Sequence, residues 1–262
     1  MARYGLTKAK SITVAISAYN EQGLIKGCIE SARILTGDII VVDTQSKDQT
    51  VKIAKDSRAQ VYTFPYAKYV EPSREFSLKK ATGDWVFILD ADERMTRELA
   101  QEIKKRIFSK ENVSHYSVPR KNIFGAKKWL KHGGWWPDYQ TRLIKKEAFI
   151  AWPKEIHSTP LVKGQQAQLE QPLLHYFHGD FGTMVSKTAI FEDIESALLL
   201  KADKAVTTGT FFRKFFGEVY RRLLGHAGFL DGPIGIIEAI YQAFSKTITY
   251  LYLYEKKKSR FI

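Results

Sequence analysis

The chain has 262 residues, 44% of them hydrophobic and 26% charged, which calls for a packed core and excludes wholesale disorder. The 41 Lys and Arg exceed the 28 Asp and Glu by 13, a balance that favours nucleotides, nucleic acid or acidic membrane surfaces as partners. A single cysteine, Cys28, excludes an intramolecular disulfide and a cysteine-based zinc site, and fits a reducing compartment. No apolar run precedes Ser11, so no signal peptide is expected. No run of about 18 uncharged apolar residues suggests a membrane span. These features point to a soluble or surface-bound cytoplasmic protein.

Residues 12–18 (Ile-Thr-Val-Ala-Ile-Ser-Ala) are a β-branched apolar run, read as a strand buried on both faces and ended by Tyr19-Asn20-Glu21-Gln22-Gly23. Helical spacing over 24–35 follows, with Gly37 as a stop. A second strand, 39–42, ends at Asp43, and Ser46 to Thr50 can cap a helix over 51–57. Residues 61–64 are a third strand candidate and 71–81 suit a helix. A fourth strand, 85–89, ends at Asp90-Ala91-Asp92-Glu93. Alternating strands and helices imply a mostly parallel sheet with helices on both faces. Asn20, Glu21, Asp43, Asp90 and Asp92 all fall at strand ends, where open α/β sheets bind ligands.

The second half is less regular. Residues 119–150 hold eight Lys or Arg against Asp138 and Glu147, with Trp129, Trp135 and Trp136 around Gly133-Gly134. A long helix is expected from Gly182 to about Ala202, and a boundary near Thr207–Gly209 divides a domain of residues 1–208 from a helical extension of 209–262. In 211–224, Phe212, Phe215, Phe216, Val219 and Leu223 share one helical face. In 234–254, Glu238, Gln242, Lys246 and Thr249 form a stripe on an apolar, Tyr-rich helix that leads into Lys256-Lys257-Lys258-Ser259-Arg260. Aromatic faces beside basic charge suit a helix lying in a membrane interface.

Asp90-x-Asp92 directly after an apolar strand sets two carboxylates where they can approach one hard divalent cation, Mg²⁺ or Mn²⁺. Ser17 to Glu21, Val41 to Thr50 and Ala81 to Glu93 resemble the three signatures of family 2 glycosyltransferases, with matching spacing over about residues 11–160. The resemblance implies a GT-A fold and an inverting transferase that uses a nucleotide sugar. The Trp-rich middle and Gly228-Phe229-Leu230-Asp231-Gly232 resemble the subgroup that adds β-1,4-glucose to the inner core of lipopolysaccharide.

The same resemblance implies roles. Asn20, Glu21 and Asp43 hold a UDP-sugar donor and Arg74 contacts it. Asp90 lies near ribose and metal, and Asp92 is the main metal ligand. Asp138, in Trp136-Pro137-Asp138-Tyr139-Gln140-Thr141-Arg142, matches the family's general base although Pro137 replaces the usual Glu. Gln140 and Arg142 then position donor phosphate or acceptor, while an Asp138–Arg142 ion pair is the structural alternative. His157 is the third metal or diphosphate contact, with His175 and His178 as rivals. Trp135 and Trp136 are candidate sugar-stacking residues or core. Acceptors to be distinguished are a lipopolysaccharide-core or other membrane-borne saccharide, a polyprenyl phosphate and a protein. A nucleic-acid partner fits the net charge, but acidic residues at the expected cleft oppose it. A peripheral site on the inner, cytoplasmic membrane face follows from the basic aromatic tail.

Overall fold

The computed structural model describes residues 10–109, 111–125, 127–177 and 181–259. The chain divides into two compact units, Met1–Pro119 with Tyr139–Leu173, and Arg120–Asp138 with Leu174–Ile262. The division falls elsewhere than the expected 208/209 boundary. The reason is packing: the helix ahead of that boundary lies against the last helix of the chain, so both belong to one unit.

In the first unit the order is β1 (Ile12–Ala18), α1 (Ile25–Ala32), β2 (Ile39–Asp43), α2 (Thr50–Asp56), β3 (Gln60–Thr63), α3 (Glu71–Lys80), β4 (Trp85–Asp90), β5 (Glu93–Arg94) and α4 (Arg97–Ile107). Further along the chain come β6 (Val113–Phe124), β7 (Lys128–Trp129), β8 (Asp138–Lys145), β9 (Phe149–Ala151), β10 (Leu161–Val162), β11 (Gln165–Gln168) and β12 (Leu173–Phe177), of which β7 and the adjoining end of β6 belong to the second unit. The first four strands agree with the sequence reading to within a residue or two. The sheet runs β3-β2-β1-β4-β8-β6, parallel through β4 and antiparallel at β8.

Strand alternation divides the core into two layers. Val14, Ile16, Val41, Phe87 and Leu89 face Ile25, Cys28 and Ile29 of α1 and Leu99 and Ile103 of α4. Ala15, Ile40, Val86 and Ile88 face Leu78 and Ala81 at the end of α3. Helix α4 was missed in the sequence, although Leu99, Ala100, Ile103 and Ile107 have helical spacing and Thr96 caps its start by accepting the Leu99 N–H. Gly83 is required where the chain enters β4, because a Cβ there would stand 2.6 Å from the Thr13 backbone nitrogen.

The second unit holds the β6–β7 hairpin and the helices α5 (Phe181–Lys201), α6 (Thr208–Tyr220) and α7 (Pro233–Lys258). Helices α5 and α6 both pack on α7. The stripe on α7 that reads as its polar face points inward: Glu238 and Thr249 are buried, and Thr249 and Ser245 hydroxyls donate to Glu192 of α5. Ile236, Ile237, Ile240 and Phe244 are exposed instead. Over α6 and the helical turn Arg221–Gly225 that continues it, the exposed row is Phe212, Phe216, Tyr220 and Leu224, whereas Phe215, Val219 and Leu223 of the expected face are half-buried. Among the described residues no helix is long and apolar enough to cross a membrane.

Candidate active site

Parallel pairing brings the polar strand ends together. The register places Ala18 beside Asp43 and Ser17 beside Asp90, so β1, β2 and β4 end at one edge of the sheet. The loops after β1 and β2 are stitched to each other. Asn20 N–H donates to Ser46 Oγ at 2.8 Å, Lys47 N–H to Asn20 Oδ1 at 2.8 Å, and Glu21 N–H to Thr50 Oγ1 at 2.8 Å. Asn20 therefore shapes this loop pair, with its own backbone left-handed at φ 53°. Asp43 is 2% exposed; its Oδ2 accepts the Ser46 N–H, and its buried Oδ1 has no partner among the described residues. A buried, unpaired carboxylate oxygen is costly and calls for a donor from a ligand. Tyr19 and Tyr66 pack with their rings tilted, 4.3 Å between centroids, beside these loops.

The end of β4 is held by two guanidinium groups. Arg74 Nη2 donates to both Asp90 oxygens, at 2.8 and 2.9 Å, and Arg142 Nη2 donates to Asp90 Oδ2 at 2.7 Å and to Glu93 Oε1 at 2.5 Å. Glu93, with no exposed surface, also accepts the Asp90 N–H. Burial by itself would raise the Asp90 pKa, but the charges of Arg142 and then Arg74 outweigh it and hold the carboxyl well below the usual range. The same carboxylates raise the Arg142 pKa against the effect of burial. Asp90, expected as a metal ligand, thus has both oxygens taken by arginines. Arg142, expected to reach donor phosphate or acceptor, is 2% exposed and orders the acidic turn. The Nε atoms of Arg74 and Arg142 are buried with no partner among the described residues.

Asp92 stands half-buried in the two-residue turn between β4 and β5, which Arg94 pins through Ala91 O at 2.9 Å. His157 is exposed, left-handed at φ 61°, and donates its backbone N–H to Glu71 Oε1. Glu71 is 5% exposed and its second oxygen has no partner among the described residues. No three His, Cys, Asp or Glu side chains among the described residues gather as a metal cluster. A Mg²⁺ ion brought with a diphosphate needs only one or two carboxylates, because phosphates and water complete its shell. Asp92 supplies a carboxylate, the donor chemistry that such an ion takes.

In the second unit, Asp138 Oδ2 accepts Arg120 Nε at 2.9 Å, Arg120 Nη2 at 2.6 Å and Asn122 Nδ2 at 3.1 Å. Its ion-pair partner is Arg120, not the Arg142 considered above, because Arg142 is engaged with Asp90 and Glu93. Asn122 also accepts His175 Nδ1 at 2.6 Å, which ties that histidine to the Asp138 network. His178 lies outside the described residues. Trp135 packs on Phe177 at 4.9 Å with Arg222 over its ring, and Trp136 meets Trp129 edge-on at 5.5 Å. Along β8, Asp138, Gln140 and Arg142 alternate and so share one strand face.

Sequence reasoning missed Glu71, Glu93, Arg120 and Asn122. Glu93 had a signal, being the last acidic residue of the Asp90 turn, but its partner Arg142 is 49 positions away. Removing one member of a buried ion pair strands the other, so Glu93→Ala should lower unfolding stability by about 3–5 kcal/mol, read from the denaturant midpoint. The depressed Asp90 pKa makes its contribution fully present above about pH 4, the usual carboxyl value, and lost as pH falls further.

A parallel sheet carrying an acidic turn at the carboxyl edge of its central strand defines the GT-A class of transferase folds. The family model described as "Glycosyl transferase family 2" matches residues 13–163, so the chain belongs to glycosyl transferase family 2. An uncharacterized glycosyltransferase of Rickettsia conorii is 25% identical over 253 residues, 90% of this chain and 89% of that one. One of Rickettsia prowazekii is 39% identical over 107 residues, 41% of this chain and 36% of the relative. Among solved structures, S. aureus TarS in complex with UDP-GlcNAc aligns with a TM-score of 0.54 at 14% identity, covering 95% of this chain and 92% of that one. M. tuberculosis glucosyl-3-phosphoglycerate synthase aligns with a TM-score of 0.50 at 17% identity, covering 76% and 82%. At these identities the likeness establishes the fold.

Proposed function

We propose that the protein transfers a sugar, glucose from UDP-glucose, to a lipopolysaccharide inner-core or related membrane-borne saccharide with inversion at the anomeric carbon. The observation that carries the donor half is a group of buried charged-residue atoms in the first unit with no partner among the described residues: Asp43 Oδ1, Glu71 Oε2, Arg74 Nε and Arg142 Nε. Asp43 offers an acceptor to a nucleobase N–H, and the two arginines favour a diphosphate. Asn20, Glu21 and Gln140 complete the donor contacts in this reading. Asp92 would hold Mg²⁺ or Mn²⁺ with the diphosphate and His157 nearby, and the ion would offset the charge of the leaving diphosphate. Asp138 takes the proton from the acceptor hydroxyl as that oxygen bonds to the anomeric carbon and the bond to the nucleoside diphosphate breaks. Trp135 and Trp136 offer aromatic surface to the acceptor sugar. Hydrolysis of UDP- and GDP-sugars, screened with Mg²⁺ or Mn²⁺ and with chelator, tests donor and ion together; no hydrolysis of any UDP-sugar overturns the donor assignment.

Attachment to an anionic membrane surface rests on the reversed burial in the second unit. Helix α7 buries Glu238 and Thr249 and exposes Ile236, Ile237, Ile240, Phe244, Leu251 and Tyr254, while α6 exposes Phe212, Phe216 and Tyr220, with Leu224 exposed in the turn that follows. Contiguous exposed apolar faces on a chain of net charge +13 suit an interface with apolar acyl chains and anionic head groups. Truncation after Thr208 would strip α5 of its packing partner, so point changes are the sharper test. Phe212→Ser with Phe216→Ser should release the protein from phosphatidylglycerol vesicles in sedimentation while leaving UDP-sugar hydrolysis unchanged. Undiminished vesicle binding by this variant rejects the α6 face as the anchor.

A further inference from the structure

The β6–β7 hairpin breaks a rule of sheet stability, and we propose that it does so to bind a phosphate group carried by the acceptor saccharide. Ile123 lies opposite Trp129 and Phe124 opposite Lys128, and the Leu130 N–H donates to Asn122 O at 2.9 Å. Continuing that register sets Lys121 opposite Lys131. Like charges directly opposite each other destabilise an antiparallel pair. Both ammonium groups also converge on one ring, with Lys121 Nζ 4.6 Å and Lys131 Nζ 4.7 Å from the Trp129 centroid. Neither lysine has an acidic partner among the described residues.

The arrangement is built rather than loose. The Lys131 and His132 N–H groups both donate to Asp231 Oδ2, at 2.9 and 2.8 Å, and His132 Nδ1 meets Asp231 Oδ1 at 3.0 Å. Asp231 is 5% exposed. Gly133, left-handed at φ 66°, donates its N–H to His226 O, and Arg222 Nη1 donates to Gly133 O. The backbone that carries Lys131 is therefore fixed from several sides, and Trp136 fixes the Trp129 ring edge-on. Two monocations on one ring, with no acidic partner among the described residues, match a phosphate monoester, which carries about −1.5 to −2 charge at neutral pH.

The assignment of this phosphate to the acceptor rests on the transferase reading; the phosphate site itself does not. The test uses the full chain without donor, with inorganic phosphate, glucose 6-phosphate and glucose as probes, read by tryptophan fluorescence and thermal shift. Glucose 6-phosphate should bind and raise Tm where glucose does not. Lys121→Met and Lys131→Met should each weaken that binding about tenfold, the equivalent of one charged hydrogen bond. Each should also raise Tm in the absence of phosphate, because the like-charge pair is relieved. UDP binding should be unchanged.

Equal binding of glucose and glucose 6-phosphate overturns the proposal, as does equal weakening by Lys204→Met at an exposed position, which would mean diffuse attraction only. If Lys121→Met and Lys131→Met lose phosphatidylglycerol vesicles but keep glucose 6-phosphate, the pair serves a lipid head group and the saccharide assignment falls. Failed UDP-sugar hydrolysis with intact phosphate binding would overturn the reaction and leave this site standing.

Discussion

Asp92→Asn is expected to lower sugar transfer and donor hydrolysis by about 10³-fold or more, since a divalent cation at a leaving diphosphate supplies several kcal/mol and each 1.36 kcal/mol is tenfold. The amide keeps the shape of the turn but removes the charge that a hard cation needs. The turn itself is held by Arg94 and by the Asp90 N–H bond to Glu93, neither of which uses the Asp92 carboxylate. Activity should fall much further than Tm, read by comparing turnover with thermal unfolding. Asp90→Asn makes an instructive contrast: it weakens ion pairs to Arg74 and Arg142 and should lower stability as well as activity. Excess chelator should stop the wild type, and Mn²⁺ or Mg²⁺ should restore it. Full turnover in chelator would remove the ion from the mechanism.

Asp138→Asn should cut kcat by ~10²–10⁴-fold, the usual contribution of a positioned general base, with the donor KM unchanged. Arg120 and Asn122 bond the Oδ2 oxygen and so set the orientation of the carboxylate. An asparagine can occupy the same space yet cannot take a proton. The informative comparison is kcat against donor KM, measured with saturating acceptor. Loss of donor binding with turnover preserved would make Asp138 a binding residue and reassign the base.

The first half of the fold was legible because each strand is a short β-branched run whose end is marked by a polar residue. Asp43 and Asp90 could be placed at one edge without coordinates, since consecutive parallel strands with helical crossovers end on the same side. The membership of the chain in its family follows the same segment, residues 13–163. The antiparallel strands after residue 113 were not legible. Their alternation is interrupted by Trp, Gly and Lys residues whose partners lie on distant segments.

What the sequence determined by itself was the identity and spacing of the rim residues and the existence of two-faced helices at the end of the chain. Only the tertiary structure decided what those features do. Asp90 accepts two arginines rather than standing open, because Arg74 and Arg142 come from elements 16 and 52 residues away. The polar stripe of α7 turns inward because Glu192 of α5 offers it hydrogen bonds, leaving the apolar stripe outside. Periodicity shows that a helix has two faces; which face is buried depends on the partner, and hydrogen bonds with a distant partner are invisible to any local pattern.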